Sequence, residues 1–141
     1  MCPQPQRAVF SCAVGAKQLA ICASDPLTET TGALQYRFGR PAQVEMAFPP
    51  TGAGWRDVTS GGTMIFSGGG GAFIVFDRRP YRYVVYSAGG RGWGSKAGVV
   101  VLRSGKRVAN LNCTADTRSE LGPELFSAAG IRPFEGSFEL P

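Results

Sequence analysis

The chain has 141 residues, of which 43% are hydrophobic and 18% charged, and a formal net charge of +5 at pH 7. This length and composition fit one domain with a substantial core and exclude a disordered chain. Because the chain has no histidine, Ser-His-Asp and Cys-His catalysis and histidine-dependent zinc chemistry are excluded as well.

Targeting and redox features point outside the cytoplasm. No run approaches the roughly 18 apolar residues of a spanning helix, so we expect no membrane span. The N-terminus has neither the basic start nor the apolar centre of a signal peptide, so the chain is either cytosolic or a mature secreted form in which Met1 replaces the leader. Four cysteines without zinc-site spacing favour disulfides over buried free thiols. We therefore predict a periplasmic or secreted protein without metal or cofactor.

The first third of the chain is typical of short strands. Residues 8–12 and 19–22 flank a polar connection and predict a hairpin, and further strands are predicted at residues 34–38 and 43–48. If the hairpin turns about Lys17, Cys12 and Cys22 lie opposite each other. We therefore predict a disulfide between Cys12 and Cys22, with Cys2 and Cys113 paired by default.

The strand pattern continues up to Cys113. Residues 72–76 and 81–86 form the strongest predicted pair, and residues 99–103 join 106–111 through Ser104 and Gly105, a two-residue connection that hairpins favour. Within the C-terminal segment 114–141, residues 122–130 predict a short helix, with proline near its start and glycine at its end. The expected fold is one domain over residues 1–141, an antiparallel β-sandwich or flattened barrel of about seven to eight strands with an N-terminal tail at 1–7.

A run of glycines is the most unusual feature of the sequence. Thirteen of the 20 glycines lie between Gly52 and Gly98, and four of them, Gly68, Gly69, Gly70 and Gly71, follow Ser67 directly before a buried strand. Glycine is costly to order, so the run suggests a use in binding. The run is no phosphate loop, since no Gly-Lys-Ser/Thr ends it and a strand follows. The alternative is a bulge or a close strand approach, with Phe73 packed in the core.

Positive charge is concentrated next to these glycines. Between Asp77 and residue 107 lie eight basic residues and no further acid. Such a field favours an anionic partner, and we assign a binding role to Arg78, Arg79 and Arg91. For the other basic residues, solvated edges and hairpin tips are an equally good explanation. Trp93, flanked by glycines, is predicted to be exposed for contact, or else to close one end of the sandwich.

Catalysis is not expected. The acidic residues are few and scattered, and only a folded pair such as Glu45 with Asp57 would suit a glycosidase. We predict that the protein is not an enzyme and has no catalytic residue.

Several short segments together resemble a known family. They are residues 10–12, 21–24, 36–39, 67–73, 83–87 and 98–101, with the late Cys113. In this order they are similar to the periplasmic inhibitors of invertebrate-type (i-type) lysozyme and related small proteobacterial periplasmic proteins.

The resemblance implies a function and a partner. It implies an eight-stranded antiparallel sandwich, usually dimeric, that plugs a lysozyme active site with a Ser-Gly loop, assisted by a basic residue. Ser67 and Gly68 match the start of the family's Ser-Gly-x-x-Tyr motif. Phe73 is the nearest aromatic residue and is expected to take part in the contact, although it has no hydroxyl. A symmetric homodimer is also expected, partly from this resemblance and partly because antiparallel sandwiches leave edges and the valine-rich strand at residues 98–102 has no charge before Arg103, so it needs covering.

Two other binding classes stay open. A saccharide-binding sandwich would use Trp55 or Trp93 as a stacking platform. A nucleic-acid binder would combine the arginines with Tyr81, Tyr83 and Trp93, but the net charge of +5 is modest for that class, so nucleic acid is not the expected partner.

Overall fold

Two β-sheets packed face to face make up the fold. The computed structural model describes residues 1–141 and contains eleven strands and one α-helix. In chain order these are β1 (Arg7–Val14), β2 (Lys17–Ala23), β3 (Leu34–Arg40), β4 (Gln43–Phe48), a 3₁₀ turn (Arg56–Val58), β5 (Thr59–Phe66), β6 (Gly69–Arg78), β7 (Tyr81–Gly90), β8 (Gly94–Arg103), β9 (Lys106–Asn112), β10 (Ala115–Ser119), α1 (Pro123–Ala129) and β11 (Arg132–Pro133).

The five-stranded sheet has the order β10-β1-β2-β3-β4, and the six-stranded sheet has the order β11-β5-β6-β7-β8-β9. All pairings are antiparallel except that of β11 with β5. The predicted all-β sandwich with one short C-terminal helix is confirmed. There are more strands than expected, because β5 opens with small residues and β10 is exposed along its whole length, so neither carries a clear apolar alternation.

The main core lies between the two sheets. Alternate residues of each strand point inward. Ile21 and Tyr36 from the first sheet therefore meet Ile74, Phe76 and Val85 from the second, all at most 2% exposed. Burial of these side chains is the main favourable contribution to folding.

A second, smaller core covers the outer face of the six-stranded sheet. Phe73, Val75, Val84 and Tyr86 point away from the first sheet and are nearly fully buried. They are covered by the last eight residues of the chain, 134–141, which we call the C-terminal strap. Its Phe134 and Phe138 rings lie 5.6 and 5.3 Å from the Phe73 ring. The six-stranded sheet is therefore packed on both faces.

The helix α1 has the boundaries that its sequence predicts. It begins with Pro123, whose missing N–H would have no intrahelical partner at that position. It ends at Gly130, which has φ +66° and donates its N–H to Ser127. With seven residues, α1 falls well short of the length that a membrane-spanning helix requires, and the chain has no other α-helix.

The two disulfides differ from the predicted pairing. Cys2 bonds to Cys22, and Cys12 bonds to Cys113. The prediction was wrong because the β1–β2 turn lies at Gly15 and Ala16, so that Val14 pairs with Lys17 and Cys12 with Leu19. Cys12 consequently belongs to the core between the sheets, whereas Cys22 follows Ile21 in β2 and points to the opposite face.

Each disulfide has a distinct position in the fold. The bond between Cys12 and Cys113 joins β1 in one sheet to the residue directly after β9 in the other. The bond between Cys2 and Cys22 attaches the N-terminal tail to the outer face of the five-stranded sheet, where Arg37 also donates a 2.6 Å hydrogen bond to the Met1 carbonyl oxygen. Two disulfides fit an extracytoplasmic protein.

The strand on which the expected homodimer was based does not lie at an edge of its sheet. Residues 98–102 belong to β8, which pairs with β7 on one side and with β9 on the other. The valine-rich segment therefore already has both of its hydrogen-bonding partners. The open edges of the two sheets lie instead at β4, β9, β10 and the β11–β5 side.

Candidate functional site

One end of the six-stranded sheet carries two neighbouring hairpin tips. Phe66 pairs with Gly69, so Ser67 and Gly68 alone connect β5 to β6. Gly68 has φ +77°, a conformation that favours glycine. Its carbonyl oxygen accepts a 2.9 Å hydrogen bond from the Arg91 N–H in the β7–β8 turn. The two tips are therefore held together, and Ser67, Gly68 and Arg91 are exposed.

Trp93 lies beside this pair of tips. Its indole packs against Gly90, where any Cβ atom would collide with the ring. The Phe66 ring is 5.8 Å away, and Lys96 Nζ lies 5.5 Å from the indole centre. With 41% of its surface exposed, Trp93 is both anchored and available for contact. We call Ser67, Gly68, Arg91, Trp93 and Lys96 the tip surface.

The remaining glycines of the run are in β6 and not in a loop. Gly69, Gly70 and Gly71 pair with Gly90, Gly89 and Ala88 of β7. A Cβ on Gly69 would collide with the Gly89 carbonyl oxygen, and a Cβ on Gly71 would lie 2.5 Å from the Ser87 carbonyl oxygen. Gly69 and Gly71 therefore permit a close approach of β6 and β7, and a Cβ on Gly70 would instead meet the Met64 carbonyl oxygen of β5. That was the alternative explanation of the run, and it applies to these positions.

Phe73 does not belong to the tip surface. It is 4% exposed and is part of the outer core beneath the C-terminal strap. Its ring lies across Gly62, which has no side chain to obstruct it. The expected binding role for Phe73 is therefore replaced by packing.

Arg78 and Arg79 lie at the opposite end of the sheet. Gly69 and Arg78 are the first and last residues of β6, so about 30 Å of extended strand separates Arg78 from the tip. Arg78 contacts the Tyr83 hydroxyl at 3.5 Å, and the neighbouring Asp77 is paired with Arg82 at 2.6 Å. The structure thus brings only Arg91, among the three selected arginines, to the Ser67–Gly68 turn.

The other candidate residues have structural partners. Trp55 is 5% exposed and donates its indole N–H to the Gly32 carbonyl oxygen at 2.9 Å, so it offers no stacking face to a sugar. Glu45 forms an ion pair with Lys17 at 2.8 Å. No cluster of three or more histidine, cysteine, aspartate or glutamate side chains is arranged to hold a metal ion.

Two tyrosines have shifted pKa values. Burial, together with the neighbouring Tyr83, raises the pKa of Tyr36 well above its usual range. Burial also raises the pKa of Tyr86, partly offset by Arg107. The Tyr86 hydroxyl donates to the Asn112 side-chain oxygen at 3.3 Å. Both tyrosines belong to the packed core clusters.

Sequence reasoning missed two residues near the tip. Lys96 contributes to the positive charge evident in the sequence, but its position three residues after Trp93 also brings the two side chains together. Ile65, 92% exposed, lies in a strand that was not predicted. The signal for that strand was the apolar run Met64-Ile65-Phe66 directly before the Ser-Gly turn.

No protein-family model, curated protein or solved structure was found to match this chain.

Proposed function

We propose that this protein inhibits a lysozyme, with the i-type favoured, by inserting the Ser67–Gly68 hairpin tip into the active-site cleft. The observation that supports this most is the tip itself: two exposed residues, one of them a glycine, at the end of a long hairpin and tied to the Arg91 N–H. Such a tip is narrow enough to enter a cleft, and the hydrogen bond from Arg91 N–H restrains it before binding, which lowers the entropic cost of association.

The chemistry of the tip suits a glycosidase cleft. Such a cleft holds two carboxyl groups that flank the scissile bond. The Ser67 hydroxyl is a hydrogen-bond donor at the tip, and Arg91 is an exposed guanidinium that forms no ion pair within the chain. Hydrogen bonds from a guanidinium to a carboxylate are among the strongest in proteins. We assign Arg91 the role of the assisting basic residue.

Trp93 provides the apolar part of the proposed contact. Tryptophan and arginine are the residues most enriched at the energetic centres of protein interfaces. Trp93 is 41% exposed in the free protein and rests on Phe66 and Gly90, so it would lose little conformational freedom on binding. The proposed interface therefore contains fewer residues than the sequence implied. Residues 69–71 and Phe73 support the tip from within the sheet and its outer core, and Arg78 and Arg79 lie outside the interface.

A lysis assay with a matched pair of variants tests this proposal. Purified i-type, c-type and g-type lysozymes are assayed on a cell-wall suspension with and without the protein. Arg91→Glu should raise the inhibition constant at least tenfold, because it replaces an attraction with a repulsion. Arg79→Glu makes the same charge change on an exposed residue at the far end of the sheet and should have little effect. If the parent inhibits none of the three enzymes, or both variants weaken inhibition equally, the proposal is wrong.

A saccharide-binding role is the second candidate. Trp93 is 41% exposed, and a sugar ring stacked on the exposed part of its indole would also contact Lys96 Nζ, which lies over the ring 5.5 Å from its centre. Retention of the protein on insoluble peptidoglycan without lysozyme, and its loss in Trp93→Ala, would support this alternative.

The family resemblance also underlies two further proposals, a periplasmic location and a homodimer. With β8 in the sheet interior, a dimer would form at another surface; the β9 edge, where Val108 is 56% exposed, is one such surface. Light scattering at micromolar concentration tests the dimer, and a mass near 14.9 kDa would contradict it.

A further inference from the structure

One edge of the six-stranded sheet is only partly occupied. β5 pairs with β6 along its whole length, from Thr59 opposite Phe76 to Phe66 opposite Gly69. On its other side it pairs with β11 at Ser60 and Gly61 only. Residues 62–66 therefore have a free backbone edge, bounded by β11 at one end and by the Ser67–Gly68 turn at the other.

The free backbone groups of this edge can be assigned. The Gly61 carbonyl oxygen points toward β11, since it accepts a 2.8 Å hydrogen bond from the Phe134 N–H. The pairing of β5 with β6 has no bulge, so outward-pointing backbone groups alternate along the strand. Thr63 and Ile65 therefore direct their N–H and C=O groups to the open side. β11 pairs only with Ser60 and Gly61, and no turn or loop hydrogen bond of the chain reaches Thr63 or Ile65 from this side. Both residues are also exposed, Ile65 to 92%.

This edge lacks the protection that the other edges have. Proteins usually place charged residues or proline on open strands, because an unprotected edge accepts another strand. β4 carries Glu45, β9 carries Lys106 and Arg107, and β10 carries Asp116 and Arg118. Residues 62–66 read Gly-Thr-Met-Ile-Phe and contain neither a charge nor a proline. Among the open strands of this fold, only this one is unprotected.

An apolar groove runs beside the free edge. It has a volume of about 530 Å³ and lies between β5 and the C-terminal strap. Its apolar lining consists chiefly of Met64, Phe66, Phe73, Phe134, Phe138 and Leu140. A strand added next to β5 would direct every second side chain toward the face that holds this groove. Backbone groups and side-chain pockets for strand addition are thus adjacent.

We propose that residues 62–66 of β5 bind an extended peptide segment of a partner protein, added to the sheet as a strand with apolar side chains in the groove. This is the known mode of strand addition, in which backbone hydrogen bonds give affinity and alternate side chains give specificity. The chain itself uses the same edge in this way, because β11 pairs with Ser60 and Gly61 immediately before the open residues. The added strand would continue that pairing.

The structure favours a peptide over a second copy of the chain. Consider two β5 strands from two copies, paired antiparallel and centred on Met64. Ser67 of one copy would then lie opposite Gly61 of the other, where β11 is already paired. The Ser67–Gly68 turn of one copy would therefore collide with β11 of the other. A single peptide strand of about five residues has no such conflict. Glu139 is the only charged residue that lines the groove, so the peptide should be uncharged or basic.

The inference does not depend on the proposed inhibition of lysozyme, and a peptide selection tests it. The disulfide-bonded protein is immobilised and used to select from a random heptapeptide phage library. The selected peptides are synthesised, and their affinities are measured by fluorescence polarisation. We expect apolar residues at alternate positions. N-methylation of the alternate amides that face β5 should weaken binding at least tenfold, and N-methylation of the other amides should have little effect.

A pair of surface variants locates the site. Ile65→Lys places a charge on the open edge and should weaken peptide binding at least tenfold. Val44→Lys makes the same change at another exposed apolar residue, on β4, and should leave binding unchanged. Both side chains are exposed, so thermal unfolding should stay near that of the parent.

Four results would overturn the inference. These are a selection that enriches no peptide, equal loss of affinity with both sets of N-methylated amides, unchanged binding in Ile65→Lys, and a parent dimer that Ile65→Lys converts to monomer. The last result would assign the edge to a second copy. Arg91→Glu, which tests the hairpin tip, should not alter peptide binding, so failure of one proposal is distinguishable from failure of the other.

Discussion

Removal of the disulfide between the two sheets should destabilise the protein more than removal of the disulfide at its N-terminus. The comparison uses two double variants, Cys12→Ala with Cys113→Ala, and Cys2→Ala with Cys22→Ala. Cys12 and Cys22 are both at most 1% exposed, so the packing cost of each truncation is similar. The difference between the variants then reports mainly the length of the closed loop.

The expected difference follows from chain entropy. The sequence separations are 101 residues for Cys12 with Cys113 and 20 for Cys2 with Cys22. In the chain-entropy treatment, closing loops of these lengths contributes about 4.7 and about 3.3 kcal/mol to the free energy of unfolding. The variant without the longer loop should therefore be less stable than the other by roughly 1.4 kcal/mol.

Urea unfolding followed by tryptophan fluorescence measures both free energies, because Trp55 is buried in the core. The dependence of the free energy on urea should also rise in both variants, more for the longer loop, since the unfolded chain becomes less compact. Peptide mapping of the oxidised parent serves as the control for connectivity. Equal stabilities, a reversed order, or a mapped bond between Cys12 and Cys22 would refute this reasoning.

Three further outcomes are expected. Gly69→Ala should lower the free energy of unfolding by about 1–3 kcal/mol, because its Cβ would collide with the Gly89 carbonyl oxygen. Gly54→Ala, with open space around it, is the matched control in thermal unfolding, and equal melting temperatures would contradict the close approach of β6 and β7. The free energy of unfolding should fall as the pH rises above about 10, by up to ~1.4 kcal/mol per pH unit for each tyrosine whose pKa is raised. The reason is that Tyr36 keeps its proton in the folded state, whereas the same side chain loses its proton in the unfolded state. Tyr36→Phe should reduce that decline in urea titrations from pH 9 to 11, and an unchanged slope would argue against it. Phe138→Ala should lower the free energy of unfolding by about 1–2 kcal/mol, because the ring contacts Phe73 and Tyr86. The loss is smaller than for a fully buried phenylalanine, because Phe138 is only half-buried. Unchanged calorimetric unfolding would mean that the C-terminal strap adds no stability.

Local patterns in the sequence were sufficient for most of the fold. The boundaries of β4, the two-residue β8–β9 turn and helix α1 all follow from interactions between near neighbours: a proline stop, a turn with Gly105, and Pro123 with Gly130 at the helix ends. The all-β class follows in the same way, because closely spaced apolar strands separated by turn residues have few other ways to bury their inner faces.

The tertiary structure decided which residues meet. A shift of the β1–β2 turn from Lys17 to Gly15 and Ala16 changed the cross-strand partner of Cys12, and the alternation of side chains along β2 placed Cys22 on the opposite face. Arg78 is adjacent to the glycine-rich strand in sequence, but the length of β6 carries it to the far end of the sheet. Arg91 and Gly68 lie 23 positions apart, and only the pairing of β6 with β7 brings them together. The sequence by itself therefore determined the fold class and most of the elements, though not β5, β10 or β11, because these features depend on residues within a few positions of one another. The site depends on strand register and strand length, and those are set by the packing of the whole chain.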